Sequence, residues 1–121
     1  MPDKRWLESL FNAIDRKQAG AFTEHLADDC SFTLGNNPTI HGRQGVHEMV
    51  SGFFDSIAGL SHEIQQFWKV DDALICHGSV TYSRHDGSEL HVPFANVMLL
   101  AGPLISDYRI FVDTSQLYLS Q

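Results

Sequence analysis

Apolar residues recur at helical spacing in the first half of this chain and at alternate positions in the second. Trp6, Leu7, Leu10, Phe11 and Ile14 fall on one face of a helix predicted over about residues 3–18. Phe22 and Leu26 mark a shorter helix over about 19–28, ending in Asp28-Asp29. Residues 30–35 suit a short strand, and Asn36-Asn37-Pro38 is a turn cluster. Val46, Met49, Val50, Phe53, Phe54 and Ile57 follow the i, i+3, i+4, i+7, i+8, i+11 spacing of an amphipathic helix over about 42–57.

After Gly59 the period drops to two. Leu60, His62, Ile64, Gln66, Trp68 and Val70 share one face of a strand, with Phe67 the exception on the other. Asp71-Asp72 turns the chain. Strands follow over about 73–84 and 89–100, and Asp86-Gly87 between them predicts a two-residue hairpin turn. Gly102-Pro103 turns again into a last strand over about 104–112. Three helices, one early strand and a four-stranded antiparallel meander make an α+β fold. A strongly curved, mainly antiparallel sheet closed on one side by the three N-terminal helices gives a conical barrel with a single cavity.

His62, His77 and Asn96 fall on the stripes expected to face inward. A buried polar group costs free energy unless it is paired, so three on one sheet mark a wet or ligand-filled pocket. With Asp86-Gly87 as the turn, Arg84 faces Glu89, Tyr82 faces His91 and Cys76 faces Val97. On the alternate face Ile75 meets Met98, His77 meets Asn96 and Ser79 meets Phe94. Direct partners sit ~5 Å apart at Cβ, so His77 and Asn96 would hold one polarised oxygen or water together. The alternative is a His–Asn pair satisfied within a plain core. Two registers of the last strand stay open. One sets Asn96 opposite Arg109, with Asp113 on the same side, and the other sets it opposite Tyr108. Phe32, Phe53, Phe54, Trp68, Phe94, Met98 and Tyr108 are candidates for an apolar wall. Such a pocket suits a mostly apolar small molecule with one oxygen function.

The bulk numbers narrow the classes. At 121 residues, 43% hydrophobic and 19% charged, the chain (1–121) is a single folded domain. A net charge of −7 argues against nucleic acid and anionic membrane surfaces as partners. No apolar run approaches the ~20 residues of a membrane helix, and Met1 to Phe11 lacks the apolar stretch of a signal peptide. Cys30 and Cys76 have no metal or redox spacing and read as reduced packing residues of a cytoplasmic protein. Without a His-x-His pair, HExxH, a glycine-rich phosphate loop or a nucleophile elbow, neither metal nor cofactor is expected. Leu74, Val97 and Leu99 form an apolar stripe on the opposite sheet face, most simply covered by a second subunit.

Phe11–Gln18, Leu26–Cys30, His41–Gly45, the Asp86-Gly87 hairpin and Ile105–Asp113, in that order and spacing, resemble the SnoaL-like branch of the nuclear transport factor 2-like superfamily. The resemblance spans nearly the whole chain. It implies a conical α+β barrel, a pocket between helices and concave sheet, and dimers. Ile14–Gln18 is similar to the segment holding the catalytic aspartate of hexachlorocyclohexane dehydrochlorinase, and Leu60-Ser61-His62 to the segment holding its catalytic histidine. Scytalone dehydratase has an aspartate and a histidine at comparable points, and its pocket asparagine falls near Asn96. The resemblance implies that Asp15 orients His62 and that His62 is a general base. The base of ketosteroid isomerase falls near Leu34, which is no base. Of the Arg and two Asp of limonene epoxide hydrolase, only Asp113 is matched. The expected activity is a cofactor-free lyase, isomerase or hydratase step on a hydrophobic small molecule. A non-catalytic ligand-binding or dimerisation domain on the same scaffold is the alternative, and a protein-interaction module is a third.

Overall fold

A computed structural model of the chain describes residues 3–118. Helix α1 spans Lys4–Asp15, and the Asp3 carboxylate at its start accepts the Trp6 N–H at 3.0 Å. It buries Leu7, Leu10, Phe11, Ala13 and Ile14. The predicted helix to residue 18 stops three residues early. Lys17 turns left-handed at φ 55°, its N–H donates to the Ile14 carbonyl, and the Gln18 N–H donates to the Ala13 carbonyl. This pair of bonds is the Schellman termination of a helix. The Lys17 ammonium then donates to the carbonyls of Phe54 and Ile57 at 3.2 and 3.0 Å. Asp15 is thereby left as the last helical residue.

Helix α2 is shorter than its apolar spacing suggests, covering Ala19–Thr23. Leu26, expected on that helix, instead opens strand β1, Leu26–Leu34. Tertiary pairing overrides a weak local period here: Leu26 lies opposite Ile105, and Arg43 donates to its carbonyl. Strand β2 is the two residues Ile40–His41, and α3 spans Arg43–Asp55, close to its predicted bounds. Strands β3 Gly59–Val70, β4 Ala73–Ser83, β5 Glu89–Ala101 and β6 Leu104–Val112 complete the chain.

The six strands form one curved sheet in the order β2-β1-β6-β5-β4-β3. β1 runs parallel to β6, and every other neighbouring pair is antiparallel. The expected meander is present, with the early strand added at its β6 edge. The helices cover one face, where their apolar stripes meet the buried positions of the sheet in a single core. The fold is α+β, as the patterning implies. Among the described residues, no helix is long and apolar enough to cross a membrane.

Three local irregularities decide which side chains enter that core. The β4–β5 loop holds three residues, not two. Arg84 N–H donates to the Ser88 carbonyl, Gly87 N–H donates to the Arg84 carbonyl, and Gly87 sits at φ 90°. That is a type I turn followed by a left-handed glycine. The extra residue moves every cross-strand pair by one. Cys76, not His77, lies opposite Asn96, and Tyr82 lies opposite Leu90. Leu74, Cys76, Val80 and Tyr82 are buried, so Leu74 belongs to the core and not to the outer stripe. Arg84 bonds the carbonyls of Gln116 and Leu117 rather than the Glu89 carboxylate.

The second irregularity is a bulge in β3 between Ile64 and Gln66. Beyond it the alternation reverses: Phe67 packs on the core and Trp68 points outward, 44% exposed. The third is a bulge in β6. The hairpin tip pairs Ala101 with Leu104 across Gly102-Pro103, as predicted, but Ser106 is then skipped. Asn96 therefore faces Ile110, outside both registers left open by the sequence, while Tyr108 faces inward and Arg109 outward.

Candidate functional site

The end of α1 and the middle of β3 bring Asp15 and His62 together. The Asp15 carboxylate accepts the His62 backbone N–H at 3.1 Å and lies 2.6 Å from the ring Nδ1. An ionised carboxylate can only accept, so Nδ1 carries a proton, and in the neutral ring the lone pair is on Nε2. The His62 side chain is only 10% exposed and that of Asp15 27%. Phe11 and Phe94 hold the imidazole on its two other sides, at ring-centre distances of 4.8 and 5.1 Å.

His62 borders an interior cavity of ≈50 Å³. Phe32, Phe53, Phe54 and Tyr108, expected in the wall, line it, as do Phe11, Phe22 and Tyr82. Asn96 enters the same cavity from β5. Its Nδ2 donates to the Tyr108 hydroxyl at 3.1 Å, while Oδ1 is buried without a partner. An unmatched amide oxygen at 1% exposure is costly, and a bound donor would relieve it. Burial pushes the Tyr108 phenol well above its usual range and that of Tyr82 up to about 12, so both stay protonated donors at neutral pH. Burial likewise pushes the Cys76 thiol up to about 12.

Besides Asp15, six of the expected site residues do not line this cavity. His77 is on the outer face of the sheet, stacked on Trp68 with ring centres 5.7 Å apart. The three-residue hairpin loop turned it outward, and the β3 bulge did the same for Trp68. The β6 bulge leaves Arg109 outside, paired with Asp107 at 3.0 Å. Asp113 caps the Ser115 N–H at 2.9 Å on the surface. Phe94 is buried against the His62 and Phe11 rings, and Met98 is fully buried opposite Tyr108. Tyr82 was missed because the assumed turn put it on the outer face. Phe11 was read only as helix core, although its spacing from Asp15 already placed both on one side of α1. Among the described residues, no three His, Cys, Asp or Glu side chains gather as a metal site requires.

No curated protein matches the chain in sequence. Solved structures match it in shape. An NTF2-like protein of unknown function from Burkholderia pseudomallei superposes with a TM-score of 0.82 at 16% identity, over 92% of this chain and 90% of that one. A putative SnoaL-like polyketide cyclase from Jannaschia sp. CCS1 gives 0.77 at 14% identity, over 92% and 87%. An LEH-like epoxide hydrolase from M. tuberculosis gives 0.79 at 14% identity, over 94% and 84%. At these identities the likeness is one of fold. The SnoaL-like domain model matches residues 7–108, most of the chain. By that match, and by its α+β architecture, the chain belongs to the SnoaL-like domain family.

Proposed function

We propose that the protein is a cofactor-free enzyme that moves a proton on a small, largely apolar molecule, with His62 as general base. The observation that carries this is the 2.6 Å contact between Asp15 and His62 Nδ1 at the edge of a largely apolar cavity. The carboxylate fixes the tautomer, stabilises the imidazolium that forms, and leaves Nε2 free to take a proton from carbon or from water. Asn96 and Tyr108 replace the expected His77–Asn96 pair as the polar partners of a bound oxygen. The protonated Tyr108 hydroxyl would stabilise negative charge developing there. A lyase, isomerase or hydratase step meets these requirements. The putative cyclase and the epoxide hydrolase among the similar folds act on small molecules, which is compatible with this class.

A second reading is a ligand-binding domain without turnover. The unpartnered Asn96 Oδ1 favours a bound donor in either case. The two separate by experiment. A panel of ketones and enones with acidic α-protons is incubated in D2O, and C–H exchange is followed by NMR. Catalysis predicts exchange in the wild type that falls by about 10²-fold or more in His62→Gln. Binding without exchange, or exchange equal in both proteins, removes the catalytic role.

A further inference from the structure

His62 is a wall between two spaces. On its inner side lies the ≈50 Å³ chamber, and on its outer side a groove of ≈450 Å³ runs between α1 and β3. The two spaces share only Phe11 and His62. Four consecutive β3 residues, Ile64, Gln65, Gln66 and Phe67, line the groove. A regular strand would set residues three apart on opposite faces, and the bulge between Ile64 and Gln66 is what sets both Ile64 and Phe67 on the core side. The bulge is tied to Gly78, where a Cβ would come within 1.9 Å of the Glu63 carbonyl oxygen. Bulges beside functional sites commonly re-aim side chains in this way.

The chamber alone has room for little more than water-sized groups, whereas small-molecule sites occupy roughly 300–1,000 Å³. Joined to the groove, it reaches that range. Asp15 ties one half of the partition, His62, in place. The other half, Phe11, has no polar tie and packs against the rings of His62 and Phe94, the latter 5.9 Å away between centres. Lys4 and Glu8 face the groove with opposite charges, beside the amides of Asn12, Gln65 and Gln66. That mixture favours a neutral hydrogen-bonding group over an ion.

We infer that the groove is the second half of the ligand site. Phe11 swings aside, an apolar head enters the chamber as far as His62, and a neutral polar tail such as a carboxamide or ester rests on Gln65 and Gln66. This rests on the reading of His62 given above.

Two probes test it. 2-Naphthol and 6-hydroxy-2-naphthamide share a hydroxyl-bearing aromatic head, and only the second carries a carboxamide. Affinities come from fluorescence titration, association rates from stopped flow, and contact with the site from the ring ¹⁵N signals of His62. The naphthamide should bind the wild type about 5-fold tighter, the worth of one added hydrogen bond. That advantage should vanish in the Gln65→Ala/Gln66→Ala variant. Phe11→Leu should speed association of both probes about 5-fold, and Phe53→Leu, on the α3 side of the chamber, should not. The two glutamines are exposed, so their variant keeps the test open if Phe11→Leu does not fold. A carboxamide without advantage, together with acceleration by Phe53→Leu alone, overturns the inference. If the His62 signals still shift in that case, the role of His62 survives. Silence of the His62 signals with both probes defeats that role and the inference with it.

Discussion

The carboxylate of Asp15 bonds His62 twice, at the ring Nδ1 and at the backbone N–H, so side chain and strand are located by one acceptor. Exchanging that carboxylate for an amide tests its part in the tautomer. In Asp15→Asn the amide nitrogen would donate to Nδ1, and the ring proton should move to Nε2. Ring ¹⁵N shifts of the two nitrogens should exchange character, and proton-transfer activity should drop about 10²-fold or more with the fold retained. An unchanged tautomer would remove Asp15 from the mechanism.

The Asn96–Tyr108 pair should be worth more to a ligand than to stability. Replacing both members by apolar groups of like shape, Asn96→Leu with Tyr108→Phe, removes the unpartnered Oδ1 together with both ends of the Nδ2–hydroxyl bond. Urea unfolding should show the double variant equal to the wild type or more stable by about 1 kcal/mol, while Tyr108→Phe alone loses about 1–3 kcal/mol. Probe binding should fall in the double variant. A large loss of stability there would mean that the pair is structural.

Gly78 is expected to tolerate no side chain. A Cβ 1.9 Å from the Glu63 carbonyl forces β3 and β4 apart at the bulge. Gly78→Ala should cost about 3 kcal/mol or more, read from the urea midpoint, and should disturb the His62 signals by displacing the strand that carries it. A mild effect would show that the bulge can relax without consequence for the site.

Stability should fail at high pH. Burial raises the Cys76 thiol from 9.0 to about 12 and the Tyr82 phenol from 10.0 to about 12. For both groups the folded value exceeds the unfolded one. The neutral form favoured by the fold is therefore fully populated below about pH 9, and its contribution is lost as pH climbs toward 12. Melting temperature should fall above about pH 9. The Tyr82 phenolate band at 295 nm, taken by difference from Tyr82→Phe, should appear together with loss of ellipticity. A phenolate band preceding any loss of structure would contradict the burial argument.

The outer sheet face exposes Trp68, Val70, Leu99 and Phe111. We propose that a second copy of the chain covers it, as the apolar stripe led us to expect. Sedimentation should give a dimer for the wild type and a monomer for Leu99→Lys. A monomeric wild type at tens of micromolar would dismiss the dimer.

The sequence alone determined the helical first half, the strand-rich second half and the α+β class, because period and turn residues are local properties that side-chain spacing displays directly. It also put Asp15 on the first helix and His62 on an apolar stripe, and the family resemblance joined the two. Which residues share the cavity was decided in three dimensions. A three-residue hairpin loop in place of a two-residue one took His77 out and brought Tyr82 in. One skipped residue in β6 chose Tyr108 over Arg109, and one extra residue in β3 exchanged Trp68 for Phe67. Each of these depends on which backbone bonds form between one strand and its neighbour in the sheet, not on the spacing of side chains within either strand. Because side chains alternate every residue, a slip of one position reverses a whole face, and no local pattern records it.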